Sequence, residues 1–550
     1  MSLFANDPRY IGTPADSPVP PPRMDPPSMF NSRGGGFGGR GGRGGGGGGG
    51  GRGDRERERD SGRGRASFGG HDTRRDPYSR DSHLRDYSSR DVERTDRRVD
   101  PQFKQLNPTQ NPVNNNNTNN NYSSSNHHSN AQSNVNALPP MPVDWLSNTS
   151  NSKTLQIDAQ LRKAAAPNAD LFCYSALVAS LGSKRANLAA ADPHRLTRAR
   201  SNTNKFATAD QLNLFLNRAA VKLANIDSLT HLLPRLLRHQ QPVFADLAAG
   251  PGGFSEYILW RARKVQKSPL PRGFGITLKG PLDFDKSFLQ NSYPDFTPTY
   301  GPDNSGDLTR VEILDSFISF VSQNSPSHKV HLVTADGAMA STGDELNQED
   351  HLKSILLAEI TTALQILAPG GDFLVKTFDL LTPFSVGLLH LLYTSFARIA
   401  IIKPVSSRPA NSERYIVCQD FCHPPSPESI QSLREALATL HGLRRPPTAT
   451  TAPTPSSHTL PPPGFISLEE RISLGLFDVY SVVDLDEVLK DSAFTDWIKE
   501  SNVKLAMRQM DALGKMETYL NGQDRNNVEV PEYVQRDVAR QCWREWGLSD

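Results

Sequence analysis

Cysteine is scarce. Cys173, Cys418, Cys422 and Cys542 are the whole complement of a 550-residue chain, and the Cys418/Cys422 pair lacks a second pair or histidines at zinc-binding spacing. That argues against a disulfide framework and a structural metal, and it points to a reducing compartment. Long apolar runs are missing too: none reaches the roughly 20 residues of a membrane helix. The N-terminus carries no signal-peptide pattern. A soluble, intracellular protein with no membrane contact is expected. Charge of one sign is also lacking, since 61 Lys and Arg stand against 59 Asp and Glu for a net charge of +2. Any nucleic-acid footprint is therefore local and does not cover the whole chain.

Apolar residues are sparse through 1–135. Arg33-Gly-Gly, Arg40-Gly-Gly and Arg43-Gly-Gly lead into a glycine run at 44–51, then an Arg/Asp/Glu/Ser-rich stretch, then an Asn-rich tract at 114–121. Such a segment cannot bury enough surface to offset the entropy of ordering, so it reads as a disordered tail. Arginines spaced by glycine pair with phosphates and stack on bases, which suits weak RNA binding. A tail that only aids solubility or condensation is the other reading.

Residues 136–443 read as one domain. Leu212, Phe215, Leu216, Ala219, Ala220 and Leu223 recur at helical spacing, predicting an amphipathic helix over 209–225 with Arg218 and Lys222 one turn apart. Strands follow at 243–247, 273–278, 330–335, 372–377, 399–403 and 415–419. Helices fall between them, at 311–323, 348–367 and after Pro383. Strands alternating with helices give an α/β fold with a doubly wound, mostly parallel sheet. The short connection 404–414 has no room for a helical crossover, so the last two strands pair antiparallel. A Pro/Thr/Ser linker at 444–464 precedes a small helical C-terminal region, 465–550, with Val534, Val538 and Cys542 on one face.

The chemistry centres on 246–254. An apolar strand ending Asp246-Leu247 runs into Ala248-Ala249-Gly250-Pro251-Gly252-Gly253-Phe254 and a helix. Glycines there permit a tight turn and close approach to a ligand. A dinucleotide loop wants Gly-x-Gly-x-x-Gly with an acid after the second strand. Here the third glycine is missing and the second strand leads into Lys279, so the loop fits S-adenosyl-L-methionine (SAM) better. Strand ends should also bring Asp336, Lys376 and Glu413 toward this crevice, with Lys222 on the entering helix. Two lysines and two acids suit methyl transfer to a hydroxyl, which needs alignment, a proton acceptor and charge stabilisation. For Lys376 to accept the proton, its pKa must fall toward neutral, which Lys222, a sulfonium and burial would favour. A salt-bridge network that only ties strand ends together is the alternative.

The order Lys222, Ala-Gly-Pro-Gly-Gly-Phe, Asp336 in Ala-Asp-Gly, Lys376 in Val-Lys-Thr-Phe-Asp and Glu413 in Asn-Ser-Glu-Arg-Tyr resembles the FtsJ-type ribose 2′-O-methyltransferases. Segments 246–257, 273–284, 376–387 and 407–418 are most similar to the nuclear cap-specific mRNA branch, which modifies the first transcribed nucleotide. The resemblance implies a Rossmann-like SAM-dependent methyltransferase, with Lys222, Asp336, Lys376 and Glu413 catalytic. It implies SAM binding by Asn217, Asp246, Ala248, Ala249, Gly250, Pro251, Gly252, Gly253, Phe254, Asp307 and Leu308. Lys184, Arg185, Asn347 and Gln348 fall where family members contact capped RNA. It further implies capped mRNA and the RNA polymerase II transcription machinery as partners, and the nucleus as location. Animal members begin with a glycine-patch segment and continue into a guanylyltransferase-like domain and a WW domain. This sequence has Arg-Gly repeats in front, and 530–548 resembles the connecting segment. Methylation of the second cap-proximal nucleotide, of ribosomal RNA or of transfer RNA stays open, as does an inactive RNA-binding scaffold.

Overall fold

The computed structural model describes residues 142–148, 157–206, 214–338, 347–443, 466–522 and 524–549. The expected tail and the Pro/Thr/Ser linker lie outside the described residues. Ten strands are present among the described residues: β1 (Trp145–Ser147), β2 (Ile157–Lys163), β3 (Val243–Leu247), β4 (Arg272–Ile276), β5 (Phe296–Thr299), β6 (Val330–Ala335), β7 (Leu367–Thr377), β8 (Phe396–Ile402), β9 (Arg414–Phe421) and β10 (Phe477–Val483). Eight form one sheet in the order β1-β8-β9-β7-β6-β3-β4-β5, and β10 pairs with β2 in a second. The run from β5 to β7 is parallel, while β9 lies antiparallel between β7 and β8. This is a doubly wound, Rossmann-like α/β architecture, as the alternation of strands and helices predicts.

Strand periodicity explains the two cores. Successive side chains point to opposite faces, so Val243, Ala245 and Leu247 of β3 enter one core and Phe244 the other. Phe373 and Val375 of β7 likewise face Ile416 and Cys418 of β9 in the first core, whereas Leu374 joins Tyr415 and Val417 in the second. Each fully buried Leu or Phe contributes about 1.5–3 kcal/mol.

Several elements differ from the sequence expectation. Of the helix expected over 209–225, residues 209–213 lie outside the described residues; the helix described there is Arg218–Thr230, started by Asn217, whose side chain accepts from the Ala219 N–H in extended backbone. Phe215 is buried but precedes that helix. The helix expected at 348–367 is split at Leu352 into Gln348–His351 and Lys353–Ile366. Pro369-Gly370-Gly371 lies inside β7: Val330 pairs with Leu367 but Leu332 with Asp372, so the extra residues bulge. Strand β5 escaped notice because it contains Pro298, which an edge strand tolerates. The region after 465 also carries a strand, β10, beside its helices. Its longest helix, Ser492–Asn521, packs on helices Ser175–Ala189 and Pro193–Asn202. In helix Glu532–Glu545, Val534, Val538 and Cys542 do share one face, packed in the second core.

Candidate active site

Parallel register brings the chemistry to one edge. Ala335 of β6 pairs with Val375 of β7, so Asp336 emerges beside Lys376, and Tyr415 of antiparallel β9 pairs with Lys376 from the other side. Glu413 immediately precedes β9 at the same edge. Lys222 reaches it from helix Arg218–Thr230. The four residues form two ion pairs: Lys222 Nζ to Glu413 Oε2 at 2.8 Å, and Lys376 Nζ to Asp336 Oδ1 at 2.9 Å. Lys376 also donates to the Asp336 main-chain oxygen at 2.7 Å, and the Tyr415 hydroxyl donates to Asp336 Oδ1 at 2.9 Å. The Phe254 ring, from the glycine loop, lies 6.2 Å from that of Tyr415. Loop and tetrad therefore share one wall.

Electrostatics correct one expectation. Burial would depress the Lys376 ammonium, but Asp336, Glu413 and Glu359 hold it above the ordinary lysine range. Lys376 is thus a protonated donor as these residues stand, because the acids beside it, Asp336 first, outweigh its burial. Burial acts to raise Glu413, yet Lys222, Lys376 and Lys403 bring its carboxyl down to about 2. Its Oε1 is buried and has no hydrogen-bond partner in the structure, so an acceptor is left for a ligand.

Two members of this site went unread in the sequence. Lys403, just after β8, donates to the Glu413 main-chain oxygen at 2.7 Å and to Asn411 Oδ1 at 2.8 Å, and burial pushes its ammonium down to about 7. Glu359, buried on helix Lys353–Ile366, accepts from the Gly337 N–H at 3.0 Å. Burial raises it to about 8 against the pull of Lys376. A lysine at the end of a strand and a glutamate in mid-helix carry no local signal. Only the motif neighbours Gly337 and Glu413 could have pointed to them.

The glycine loop sits at the carboxyl end of β3. A Cβ on Gly250 would meet the Leu282 carbonyl oxygen at 1.8 Å, and one on Gly253 would meet Asn217 Oδ1 at 2.2 Å. Close approach is therefore demanded first by the protein itself, not by a ligand. Gly252 has φ +117°, a conformation side chains disfavour, and Ala248 sits at φ +49°. Asp246 is fully buried, with Oδ2 accepting from Ser255 N and Oγ at 3.1 and 2.6 Å and Oδ1 from Thr334 Oγ1 at 2.8 Å. It ties loop to strand rather than facing the crevice, and burial raises it to about 7. Asp307 and Leu308 follow Gly306, which backs onto the Thr277 carbonyl, and Thr277 Oγ1 accepts from the Gly250 N–H at 3.0 Å. Asp307 Oδ1 accepts from Thr309 N and Oγ1 at 3.1 and 2.6 Å. The backbone loop, the Asn217 amide and the Asp307 segment thus lie together at the carboxyl edge of the sheet, a donor and acceptor set that fits a nucleoside cofactor.

The positions expected to meet RNA separate. Gln348 Oε1 accepts from Ser412 Oγ at 3.2 Å, next to Glu413, and Asn347 immediately precedes the same short helix. Lys184 ion-pairs with Glu517. Arg185 is buried, donating to Asp379 Oδ2 at 2.8 Å and Gln509 Oε1 at 2.7 Å. Its guanidinium is an internal tie, because helix Ser492–Asn521 covers it. Among the described residues no cluster could hold a metal ion, and no helix is long and apolar enough to cross a membrane.

Residues 215–421 match the FtsJ-like methyltransferase family, and this segment is an FtsJ-like methyltransferase domain. Beyond the domain, the chain is similar to cap-specific mRNA (nucleoside-2′-O-)-methyltransferase 1 of Bos taurus, at 36% identity over 395 residues covering 69% of this chain and 42% of the relative. The Homo sapiens protein of that name is 35% identical with the same coverages. Its Drosophila melanogaster counterpart is 33% identical over 430 residues, covering 75% of this chain and 50% of the relative. The chain thus spans half or less of these relatives' length. Among solved structures, a putative ribosomal RNA methyltransferase from Plasmodium falciparum aligns with 38% of this chain and 98% of its own, at 21% identity and a TM-score of 0.27.

Proposed function

We propose that this protein transfers a methyl group from SAM to the ribose 2′-oxygen of the first nucleotide of N7-methylguanosine-capped mRNA. The observation that carries the reading is the paired tetrad, Lys222–Glu413 and Lys376–Asp336, on the edge that bears the glycine loop. The relatives' names support the cap and the mRNA; a nuclear setting near the RNA polymerase II transcription machinery is part of the same proposal.

The loop 248–254, Asn217, Asp307 and Leu308 would hold SAM, which when bound supplies an electrophilic methyl group. Lys376 uses two of its three N–H donors on Asp336, leaving one for a ribose hydroxyl. Glu413 Oε1, buried and unpartnered, would accept from the same region. Protonated Lys376 stabilises charge growing on the oxygen. To take up the hydroxyl proton it must first release its own to solvent, which requires a further positive group nearby to lower its pKa. Lys222 holds Glu413 ionised, and Asp336 fixes the Lys376 rotamer.

Methyl-labelled SAM and short RNAs bearing an N7-methylated cap, an unmethylated guanosine cap or a 5′-triphosphate test this. Nuclease mapping should locate label on the first 2′-oxygen of capped RNA. Label on the second nucleotide, or only on ribosomal or transfer RNA, would redirect the substrate. A folded, SAM-binding chain that labels none of them would sink the enzyme reading.

A further inference from the structure

Two segments outside 215–421 converge on the catalytic strand ends. Asp379, three residues after Lys376, is buried and bridges two buried guanidinium groups, accepting from Arg185 Nη1 at 2.8 Å and Arg414 Nη2 at 2.9 Å. Arg414 is the residue after Glu413. Charges removed from water in this way are tolerated only when their remaining donors are met. Two side-chain amides of helix Ser492–Asn521 help meet them. Asn502 Oδ1 accepts from Arg414 Nη1 at 3.1 Å, and Gln509 Oε1 accepts from Arg185 Nη2 at 2.7 Å.

The other end of each amide grips a loop of the site. Asn502 Nδ2 donates to the Leu380 oxygen at 2.8 Å, just beyond Lys376, and to the Phe172 oxygen at 3.0 Å. Gln509 Nε2 donates to the Ala410 oxygen at 2.8 Å, in the loop that delivers Glu413. Arg414 Nε reaches back to the Ser412 oxygen at 3.1 Å, bracketing Glu413 between its chain neighbours. Asn502 and Gln509 are each only 2% exposed. A helix that merely covered the domain would hold apolar residues there, since buried ionic clusters are commonly replaced by hydrophobic packing without loss of stability.

We infer that Asn502 and Gln509 are positioning residues for Glu413 and Lys376, acting through Arg414, Asp379 and the loops at 379–382 and 404–413. This rests on the catalytic reading of Glu413 and Lys376. It makes the helix Ser492–Asn521 part of the active-site scaffold, with amides that set where the tetrad stands and do not touch the reactants.

The full chain is compared with Asn502→Leu, Gln509→Leu and Gln509→Glu, and with Lys515→Ala, which breaks an exposed pair on the same helix. Turnover on capped RNA, KM for RNA, SAM affinity by calorimetry and hydrogen exchange of both loops are measured. Asn502→Leu and Gln509→Leu should lower kcat about 10- to 100-fold, the scale of a small misplacement of reacting groups, with KM and SAM affinity nearly unchanged. Gln509→Glu keeps an acceptor for Arg185 but loses the donor to Ala410, so it should resemble Gln509→Leu and exchange faster at 404–413. Lys515→Ala should match the parent. Unchanged kcat in Gln509→Glu, or faster exchange spread over the whole chain with normal turnover of the folded fraction, overturns the inference. If Asn502→Leu does not fold, Gln509→Glu decides. If the parent methylates no RNA, the catalytic reading fails by itself, and loop exchange alone decides whether the amides hold 379–382 and 404–413.

Discussion

Lys376 stands among the acidic side chains of Asp336, Glu413 and Glu359, and its role depends on what surrounds it. Lys376→Ala should lower the methyl-transfer rate about 10²–10⁴-fold, the usual cost of losing a proton-transfer group, while calorimetry finds SAM affinity little changed. Transfer within a few-fold of the parent would remove the lysine from the chemistry. Behind it, Glu359 offers a stability test. Its folded pKa, raised by burial to about 8 from 4.5, means that the folded chain keeps a proton that the unfolded chain releases. Stability from this group is therefore full below about pH 4.5 and falls as pH rises toward 8. Glu359→Gln keeps an oxygen for the Gly337 N–H and should remove a decline of up to about 1.4 kcal/mol per pH unit. Denaturant titrations at pH 5, 6, 7 and 8 measure it; parallel pH slopes in the two proteins would refute it. That Asp336, Lys376 and Glu413 meet at one edge was legible in the sequence because each sits in a local motif at a strand end, whereas Lys222 lies inside helix Arg218–Thr230 and was singled out by its order before the glycine loop. Glu359 and Lys403 were not legible, because their significance arises only from packing of distant segments.

At the scale of elements, the glycine loop was readable and its reason only partly so. Strand, glycines and helix announce a tight turn, but the sequence does not say what crowds it. The Leu282 carbonyl and Thr277 hydroxyl stand where a Gly250 side chain would go. Gly250→Ala should therefore displace the 277–282 segment, cost about 1–3 kcal/mol in stability and weaken SAM binding at least about tenfold, an effect of only about 1.4 kcal/mol. Calorimetry and thermal melts check both, and parent-like values in both would mean the loop yields easily. The helix Arg218–Thr230 carries a similar lesson. Periodicity found only Ala219, Ala220 and Leu223 of its apolar face, and Asn217 decided its start, since a cap is a hydrogen bond and not a stripe. The antiparallel β9 was foreseeable from the length of 404–414. The sheet of β2 and β10 was not, because its strands are far apart in sequence and Leu161 and Phe477 stay exposed.

For the whole molecule, all the candidate catalytic groups lie after residue 184, whereas the arginine-glycine repeats lie before residue 70. Deleting 1–135 should leave turnover on short capped RNA unchanged and weaken binding of long RNA, with a shallower salt dependence as fewer counterions are released. Titrations at two ionic strengths compare the two proteins. Equal affinities and slopes would assign the repeats another task, and lost turnover would place part of the tail in the site. The alternation of strands and helices made the domain legible, but not the way sequence-distant helices brace it. Arg185 and Gln509 meet across 324 residues, and Gln509 and Ala410 across 99. That second separation has a consequence in time. A ribosome adding about 5–20 residues per second delivers the loop bearing Glu413 roughly 5–20 s before the amide that grips it. For that interval the nascent chain carries every member of the tetrad, with the Ala410 carbonyl still answered by water.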